Sequence, residues 1–390
     1  MSQPRPLEGI RVIDFTSLVA GPWCTRLLAD CGAEVIKIEP VNDGEVMRYA
    51  QPAANGVSRA YAHFNCGKQS ISLDIKTPAG LDVARRLIAR SDVVIENFRP
   101  GVMERLSLDY EKVRQTNPKL IYCSVSGFGQ TGAMAGQAAY APIVHALSGL
   151  DHAFMTAQGD GSVPPASGIM IADVVAAVYA FGAIQTALLH RERNGVGTHI
   201  DATLIEATMS LVAFQFLHAQ TPEAKPLAVF RPIRTCDGYV VSPLVTARNY
   251  ATMYEIMGRA DWLGDSGYTS LPGIQQRRDE IEAAVAQWAG GRTSAEVERT
   301  LVAAGIACAP YRAAGESLQD AHLRGRGSFA AMDDGSDYFV LNPPFKLSGA
   351  DCTARPWVAA RGEHTREIAR TVLALSDVEI DRLYAERALG

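Results

Sequence analysis

The sequence lacks the paired cysteines that mark zinc ribbons and disulfide-bonded secreted domains. Its seven cysteines are odd in number, widely scattered and without CxxC spacing. This pattern is typical of a chain in a reducing compartment and disfavours a structural zinc site. The first ten residues, MSQPRPLEGI, do not have the charged start, apolar core and cleavage site of a secretory signal. We therefore expect a cytoplasmic protein that binds no metal.

Common nucleotide-binding signatures and a strong charge imbalance are also missing. No GxGxxG follows the first predicted strand and no GxxxxGK[ST] occurs in the 390 residues, which disfavours ordinary dinucleotide and P-loop binding. A net charge of -5 and an isoelectric point near 5.9 argue against nucleic acid or an anionic membrane as a partner. With 47% hydrophobic and 20% charged residues, the chain has the composition of a folded globular protein.

Strands and helices alternate in the first half of the chain. Short β-branched or aromatic runs, separated by helical patterns, occur at 9–17, 34–40, 70–76, 92–98 and 120–129. Such alternation predicts an α/β fold with a largely parallel, doubly covered sheet of the Rossmann type. A chain of this length is also long for one hydrophobic core, so we expect a second domain.

The character of the sequence changes at 220–226, QTPEAKP, which is polar, contains proline and has no apolar periodicity. We interpret this stretch as a linker. Beyond it, the Asp237-Gly238 pair between two β-branched runs predicts a hairpin. Amphipathic helices follow, one of them preceded by a capping box of Thr293 and Glu296. The sequence therefore predicts a large Rossmann-like domain in 1–220 and a smaller α+β domain in 227–325.

The segment from Ile169 to Leu189 is apolar on every helical face, and Asp173 is its only formal charge. The segment is nearly long enough to cross a membrane, but Asp173, Gln185 and two glycines favour a helix buried in protein. One carboxylate at the start of such a helix has two interpretations. It is either an N-cap, which accepts hydrogen bonds from first-turn amides, or a nucleophile kept ionised by the helix N-terminus.

Several stretches, in order, resemble one family: PLEGIRVIDFTSLVAGPWCTRLLADCGAEVIKIEP, NCGKQSISLDIKTPAG, NFRPGVMERLSLDYEKV, NPKLIYCSVSGFGQTG, SGIMIADV and RGEHTREI. They look like the class III CoA-transferases, also called the CaiB/BaiF family. The resemblance implies a Rossmann-like CoA-binding domain that residues of about 330–390 complete. It also implies an interlocked homodimer.

The resemblance further implies a mechanism and a substrate site. In this family the aspartate matching Asp173 attacks an acyl-CoA thioester, forming first a mixed anhydride and then an aspartyl-CoA thioester. CoA and its thioesters are substrates, succinyl-CoA among the possible donors, and no tightly bound cofactor is implied. The positions that match the family's CoA-binding residues are Val19, Ala20, Leu73, Asp74, Ile75, Lys76, Asn97, Phe98, Arg99, Arg105 and Tyr140.

Some departures from the family patterns narrow the substrate. The branch that uses formyl-CoA and oxalate has Gln in place of Val19, Arg in place of Pro40 and a glycine-rich loop at the start of the small domain. Their absence disfavours oxalate or formate. A small dicarboxylic acceptor would need a cation for its second carboxylate, and Arg231 or Arg234 is a candidate for this contact. The alternative for either arginine is a surface salt bridge.

Two other functions remain open at this point. The family also contains 2-methylacyl-CoA racemases, whose second base is a histidine at the position of Tyr140. A tyrosine of ordinary pKa is a poor base at neutral pH, and the nearby His145 has the pattern of a core residue. The third reading is a CoA-binding protein that catalyses nothing, which the retained Asp173 disfavours.

Overall fold

A six-stranded parallel sheet forms the centre of the larger of two units in the computed structural model. The structure describes residues 3–51, 56, 58–158, 163–165, 168–221 and 230–390. The larger unit comprises Met1–Pro222 with Gly325–Gly390, and the smaller comprises Glu223–Arg324. The predicted linker is residues 220–226, and from position 222 onward it falls outside the described residues.

The strands of the large sheet are β1 (Arg11–Asp14), β2 (Glu34–Glu39), β3 (Gln69–Ser72), β4 (Val93–Glu96), β5 (Ile121–Ser126) and β6 (Thr198–Thr203). Their spatial order is β3-β2-β1-β4-β5-β6, and every neighbouring pair is parallel. The predicted parallel α/β sheet is confirmed. The order reverses between β1 and β4, which makes the carboxyl ends of these strands the expected place for a ligand.

Helices connect the strands and cover both faces of the sheet. Those that precede the smaller unit are α1 (Ala20–Asp30), α2 (Arg59–Asn65), α3 (Pro78–Ile88), α4 (Val102–Arg105), α5 (Tyr110–Val113), α6 (Ala141–Leu147), α7 (Leu150–Gln158), α8 (Ile171–Asn194), α9 (Leu204–Met209) and α10 (Ala213–Gln220). Helices α1 and α8 pack against each other and against one face of the sheet.

Helix α8 is covered on one side only. Its alanines at 172, 176, 177 and 180 are buried against the sheet and α1, which the small side chains allow to approach closely. On the outward side Val178 and Tyr179 are 51% and 55% exposed. The prediction of a helix buried in protein is therefore confirmed for the inner face of α8, whereas the outer face is exposed in the single chain. By length and composition α8 would also be apolar enough to cross a membrane, although its inner face contacts protein.

The smaller unit has a three-stranded antiparallel sheet of β7 (Ile233–Arg234), β8 (Tyr239–Val241) and β9 (Ala309–Pro310). The Asp237-Gly238 turn joins β7 to β8 as predicted, and the Thr235 N–H donates to the Gly238 carbonyl at 3.0 Å. Its helices are α11 (Ala247–Met257), α12 (Ser266–Thr269), α13 (Leu271–Gln276), α14 (Arg278–Gly290), α15 (Ser294–Ala303), α16 (Ala314–Gln319) and α17 (Ala321–Gly325). The capping box at the start of α15 is confirmed.

The C-terminal segment returns to the larger unit. It contains the antiparallel pair β10 (Phe329–Ala331) and β11 (Phe339–Leu341), followed by α18 (Thr365–Thr371) and α19 (Asp377–Ala385). The hydroxyl of Thr365 accepts a hydrogen bond from the Ser72 N–H at 3.1 Å, which ties the segment to the end of β3. Apolar residues of both helices join α3 on the sheet face opposite α8, so this segment completes the core of the larger unit.

Candidate active site

The loops that follow β1, β3 and β4 lie at one edge of the sheet, because the three strands are parallel. These loops carry most of the predicted CoA-binding positions: Val19 and Ala20 after β1, Leu73 to Lys76 after β3, and Asn97 to Arg99 after β4. Helix α8 runs antiparallel to the strand that follows it, so its N-terminus and Asp173 point to the same edge. The fold therefore gathers residues from distant parts of the sequence at the switch point.

Asp173 is the third residue of α8, and the N-cap position belongs to Met170. The interpretation of Asp173 as the N-cap is therefore wrong. The backbone N–H groups of Asp173 itself and of Ala20 favour its carboxylate form and so lower its pKa. Ala20 is the first residue of α1, where backbone N–H groups have no partner within the helix, and the capping residue Val19 has no polar side chain. The N-terminal ends of α1 and α8 thus converge on one carboxylate.

Burial has a larger effect on the pKa of Asp173 than these two N–H groups have. Removal from water raises the pKa of Asp173 to about 6, and the N–H groups of Ala20 and Asp173 lower it only in part. The carboxylate is ionised at neutral pH, yet it is poorly hydrated and more basic than an ordinary aspartate. Such a group is suited to nucleophilic attack on a carbonyl carbon.

The loop between β1 and α1 is held by buried polar contacts. The Asp14 carboxylate accepts hydrogen bonds from the Thr16 N–H at 2.8 Å and from the Lys68 ammonium at 3.1 Å. Burial lowers the pKa of Lys68 to about 8, and the nearby Asp14 opposes this shift. A side chain at Gly21 would place its Cβ 2.3 Å from the Thr16 Cβ, so only glycine allows α1 to start this close to the loop.

Asn97 joins the β1 loop to the end of β4. Its side-chain oxygen accepts the Ser17 N–H at 2.9 Å, and its amide donates to the Ser17 carbonyl at 2.8 Å. The next residue, Phe98, donates its N–H to the Glu96 carboxylate at 2.9 Å. Asn97 therefore fixes the backbone just before Val19 and Ala20, whatever further contact it makes with a ligand.

Comparison with known proteins identifies the family. The family model described as CoA-transferase family III matches residues 7–365 of the chain. The chain belongs to CoA-transferase family III.

Its curated relatives include the succinate–glutarate CoA-transferase of Agrobacterium fabrum, which is 34% identical, with 93% of this chain and 94% of the relative covered. The succinyl-CoA–L-malate CoA-transferase beta subunit of Chloroflexus aurantiacus is 30% identical, with 98% of each chain covered. Among solved structures, a CaiB/BaiF family protein from Brucella suis superimposes with a TM-score of 0.82 at 28% identity, covering 95% of this chain and 100% of that one. The chain is thus a class III CoA-transferase, and its substrates include CoA thioesters.

The remaining predicted CoA-binding positions of this CoA-transferase fall into two groups. Leu73 is buried, and its N–H and that of Asp74 are taken up by the carbonyls of Glu39 and Ala388. Asp74 also accepts the Lys76 N–H at 3.0 Å, and Ile75 packs on the core. The backbone N–H groups of residues 73, 74 and 76 are therefore used in contacts within the protein. The cation that this stretch presents to solvent is the Lys76 side chain.

The second group is exposed. It contains three exposed cations on the segments that follow β3 and β4: Lys76, Arg99 and Arg105. Exposed cations of this kind are accessible to the phosphate groups of CoA. Gly101, which has a left-handed φ of 86°, is the N-cap of α4, and Arg105 is the last residue of that helix. Tyr140 is the N-cap of α6 and is 63% exposed, so its ring is available to a ligand.

His145 is tied to the start of α8, a role that sequence reasoning missed. The side chain is 2% exposed, and its Nε2 accepts the Ala172 N–H at 3.1 Å. This contact satisfies one of the unpaired first-turn donors directly beside Asp173. A ring nitrogen used in this way is not a free base, which removes His145 as the second base of a racemase.

Some other predicted features lie away from these contacts. In the SGIMIADV stretch that resembles the family, Ser167 is outside the described residues, and the adjacent Gly168 is exposed. In the smaller unit Arg231 lines a cavity of about 890 Å³ with largely apolar walls, and Arg234 is an exposed residue of β7. Among the described residues no group of three or more His, Cys, Asp or Glu side chains is arranged to hold a metal ion.

Proposed function

We propose that this class III CoA-transferase moves CoA from succinyl-CoA to a small carboxylic acid, with Asp173 as a covalent nucleophile. The observation that carries the proposal is the position of the Asp173 carboxylate, which is partly desolvated and lies where α1 and α8 begin. A dicarboxylic acceptor is favoured because the relatives described above are named for succinate, glutarate and malate.

The proposed reaction consists of successive acyl transfers. A carboxylate oxygen of Asp173 attacks the thioester carbon of the donor, the C–S bond breaks, and CoA leaves as a thiolate. The thiolate attacks the aspartyl carbon of the mixed anhydride, which releases the donor acid and leaves an aspartyl-CoA thioester. The acceptor carboxylate then attacks the aspartyl carbon of that thioester, the C–S bond breaks, and a second mixed anhydride forms as the CoA thiolate leaves. The thiolate attacks the acceptor carbonyl carbon of this anhydride, which gives the acceptor acyl-CoA and releases the Asp173 carboxylate.

The geometry offers a physical reason for these steps. A carboxylate is a weak nucleophile compared with a thiolate, so orientation has to compensate. Binding of CoA at its distant nucleotide end can be used to hold the thioester carbon beside Asp173. The exposed cations Lys76, Arg99 and Arg105 are proposed to contact the CoA phosphates, and Tyr140 an apolar part of the substrate.

The covalent step can be tested by trapping. Enzyme incubated with succinyl-CoA alone, and then with hydroxylamine or borohydride, should carry a modification on the Asp173 peptide, read by mass spectrometry. Asp173→Asn should fold, lose the modification and lose CoA exchange by several orders of magnitude. Glu206→Gln is the matched control, because Glu206 is an exposed carboxylate in the first turn of α9. A modification on Glu206 or a cysteine, or normal exchange by Asp173→Asn, would refute the assignment.

The racemase alternative predicts a different outcome. In that reaction deuterium from solvent enters the α-carbon of a 2-methylacyl-CoA without any exchange of the acyl group. Neither Tyr140, which is an exposed helix N-cap, nor His145, whose Nε2 is occupied, favours that chemistry. Deuterium entry without CoA exchange would favour the racemase over the transferase.

The state of assembly is a further part of the proposal. We propose an interlocked homodimer, because the outward faces of α6, α8 and α10 are apolar and exposed in the single chain. The residues concerned are Ile143, Leu147, Val174, Val178, Tyr179, Leu189, Phe214 and Leu217, each between 39% and 62% exposed. Large apolar side chains left exposed in this number are typical of a protein interface. We also propose a cytoplasmic location, which the pattern of scattered cysteines predicts.

A further inference from the structure

The backbone just before α1 is strained at one residue. Leu18 has a φ of 68°, in the left-handed region that glycine adopts and a branched side chain rarely does. This conformation costs roughly 1–2 kcal/mol for a residue with a Cβ. Leu18 lies two positions before Ala20, the first residue of α1, whose N–H favours the Asp173 anion and whose helix packs against α8. A relaxed Leu18 would change the direction of the chain immediately before that N–H.

Glu45, in the GEVMR stretch, supplies the contact that opposes relaxation. Its Oε1 accepts the Leu18 N–H at 3.0 Å and the Met47 N–H at 3.1 Å. The side chain is 4% exposed, which makes a lost hydrogen bond costly. The two neighbouring backbone groups of Ser17 are held separately by Asn97.

Several charged and polar side chains surround the Glu45 carboxylate. Its Oε2 lies 3.9 Å from the Lys37 Nζ and 3.5 Å from the Asn65 amide nitrogen. Lys68 and Arg48 are further cations within electrostatic reach of Glu45. Glu39 and Tyr61 also lie nearby, and both are themselves hydrogen-bonded to Arg48. Glu45 is thus held in a network of contacts with neighbouring side chains and backbone N–H groups.

We propose that Glu45 is a positioning residue whose carboxylate holds Leu18 in the left-handed conformation and thereby aims the Ala20 N–H at Asp173. Glu45 reaches the reaction only through the backbone of the β1–α1 loop. The inference rests on the proposed role of Asp173 as the nucleophile. In this arrangement the loop sequence tolerates a leucine at residue 18 because the hydrogen bond to a buried glutamate side chain compensates its strain.

The test compares variants at both residues by their rates and pH profiles. Glu45→Ala should lower kcat by about 10- to 100-fold, because a misplaced donor at the reacting group has an effect of this size. It should also move the acid limb of the kcat profile to higher pH, since Asp173 loses a donor that stabilises its anion. Glu45→Gln keeps an acceptor oxygen for Leu18 and should stay closer to the native enzyme.

The strain argument is tested at Leu18. Leu18→Gly should be nearly silent alone and should restore at least part of the rate in the Glu45→Ala enzyme, because glycine adopts the left-handed region without penalty. Leu18→Ile, with Glu45 intact, should lower kcat and shift the acid limb in the same direction, because a β-branched residue is more strained there. This second variant decides the question if Glu45→Ala does not fold.

Glu34→Ala is the matched control, because Glu34 begins β2 and pairs with Arg11 at 2.8 Å. A native rate and acid limb in both Glu45→Ala and Leu18→Ile would overturn the inference. A loss of rate in Glu45→Ala with no shift of the acid limb, and no recovery in the double variant, would also overturn it. Trapping separates this failure from that of the proposed function: if the native enzyme carries no modification on Asp173, the nucleophile assignment is the one that fails.

Discussion

At the scale of single residues, the environment of Asp173 decides its chemistry. An aspartate in water has a pKa near 4, where its anion is weakly basic. Burial raises the pKa of Asp173 to about 6, although the Ala20 N–H and its own N–H favour the anion. The result is a compromise in which the carboxylate is still ionised at pH 7 but is less well solvated than a surface group. The N–H groups at the N-termini of α1 and α8 both help to keep the Asp173 carboxylate ionised.

This balance predicts the pH dependence of exchange. The nucleophile is the carboxylate, so kcat/KM should rise with pH and level off above about pH 6, and should fall about tenfold per unit of pH below it. The rate of Asp173 modification at saturating succinyl-CoA should show the same limb, which separates Asp173 from titration of the CoA phosphate. A profile that stays flat down to pH 5 would contradict the prediction.

The raised pKa also has a consequence for stability. Because the folded state binds the Asp173 proton more tightly than the unfolded chain does, this residue lowers the free energy of unfolding as pH rises from about 4 to 6. Asp173→Asn should therefore be as stable as the native enzyme or more so at pH 7, by up to roughly 2 kcal/mol. Denaturant unfolding at pH 4 and pH 7 measures this, and the gain should vanish at pH 4. A variant that is less stable only at pH 7 would show that the anion is net stabilising.

At the scale of elements, the start of α1 is the feature that the site depends on. Gly21 allows Thr16 and α1 to meet, while Asp14, Lys68 and Asn97 hold the loop on either side. The small alanines of α8 do the same for the helix that carries Asp173. Two close packings therefore set how closely the Ala20 N–H approaches Asp173.

Gly21→Ala should push the start of α1 away from Thr16 in the β1–α1 loop. Its Cβ would lie 2.3 Å from that of Thr16, close to the backbone, where little can move aside. We expect a loss of about 1–3 kcal/mol of stability from overpacking, together with a fall in exchange of more than tenfold. Gly290→Ala is the control, because no described atom lies within 4 Å of a Cβ at this last position of α14. Normal exchange by Gly21→Ala would show that the Ala20 contact tolerates displacement.

At the scale of the whole molecule, the described chain leaves much of one helical layer exposed. Residues on the outer sides of α6, α8 and α10 are large and apolar, which is the reason for proposing a dimer. If the two chains are interlocked, they cannot separate without unfolding. Dissociation of the dimer and unfolding of its chains would then be the same process. Unlike an ordinary dimer, the protein should not exchange subunits while it is folded.

Mixing tagged and untagged protein provides the measurement. We expect homodimers by analytical ultracentrifugation at micromolar concentration, and no mixed dimers in native buffer until both pools are unfolded and refolded together. Val178→Asp should abolish the dimer, because Val178 is half exposed on α8 and a charge there would be buried by a partner. Val378→Asp in α19 is the matched control at an exposed position. A stable, active monomer would contradict the proposal.

The sequence by itself determined the elements, the parallel sheet and the family. β-branched runs that alternate with amphipathic helices are local patterns, and the five predicted runs match β1 to β5. The Asp237-Gly238 hairpin and the capping box at Thr293 are local as well, so both were predictable from a few neighbouring residues. Asp173 stood out because one charge in a long apolar helix is visible without a structure, and its role as the nucleophile stays a prediction.

Only the tertiary structure decided what surrounds that charge. The sequence favoured neither the third position of α8 over its N-cap nor the contact with Ala20, because residues 20 and 173 meet only after the sheet has formed. The roles of His145 and Glu45 have the same origin: a histidine in an apolar helix and a glutamate in a loop carry no local sign of the backbone N–H groups that they bind. Hydrophobic periodicity records which side of an element is buried, whereas hydrogen bonds between distant segments depend on how the buried sides meet.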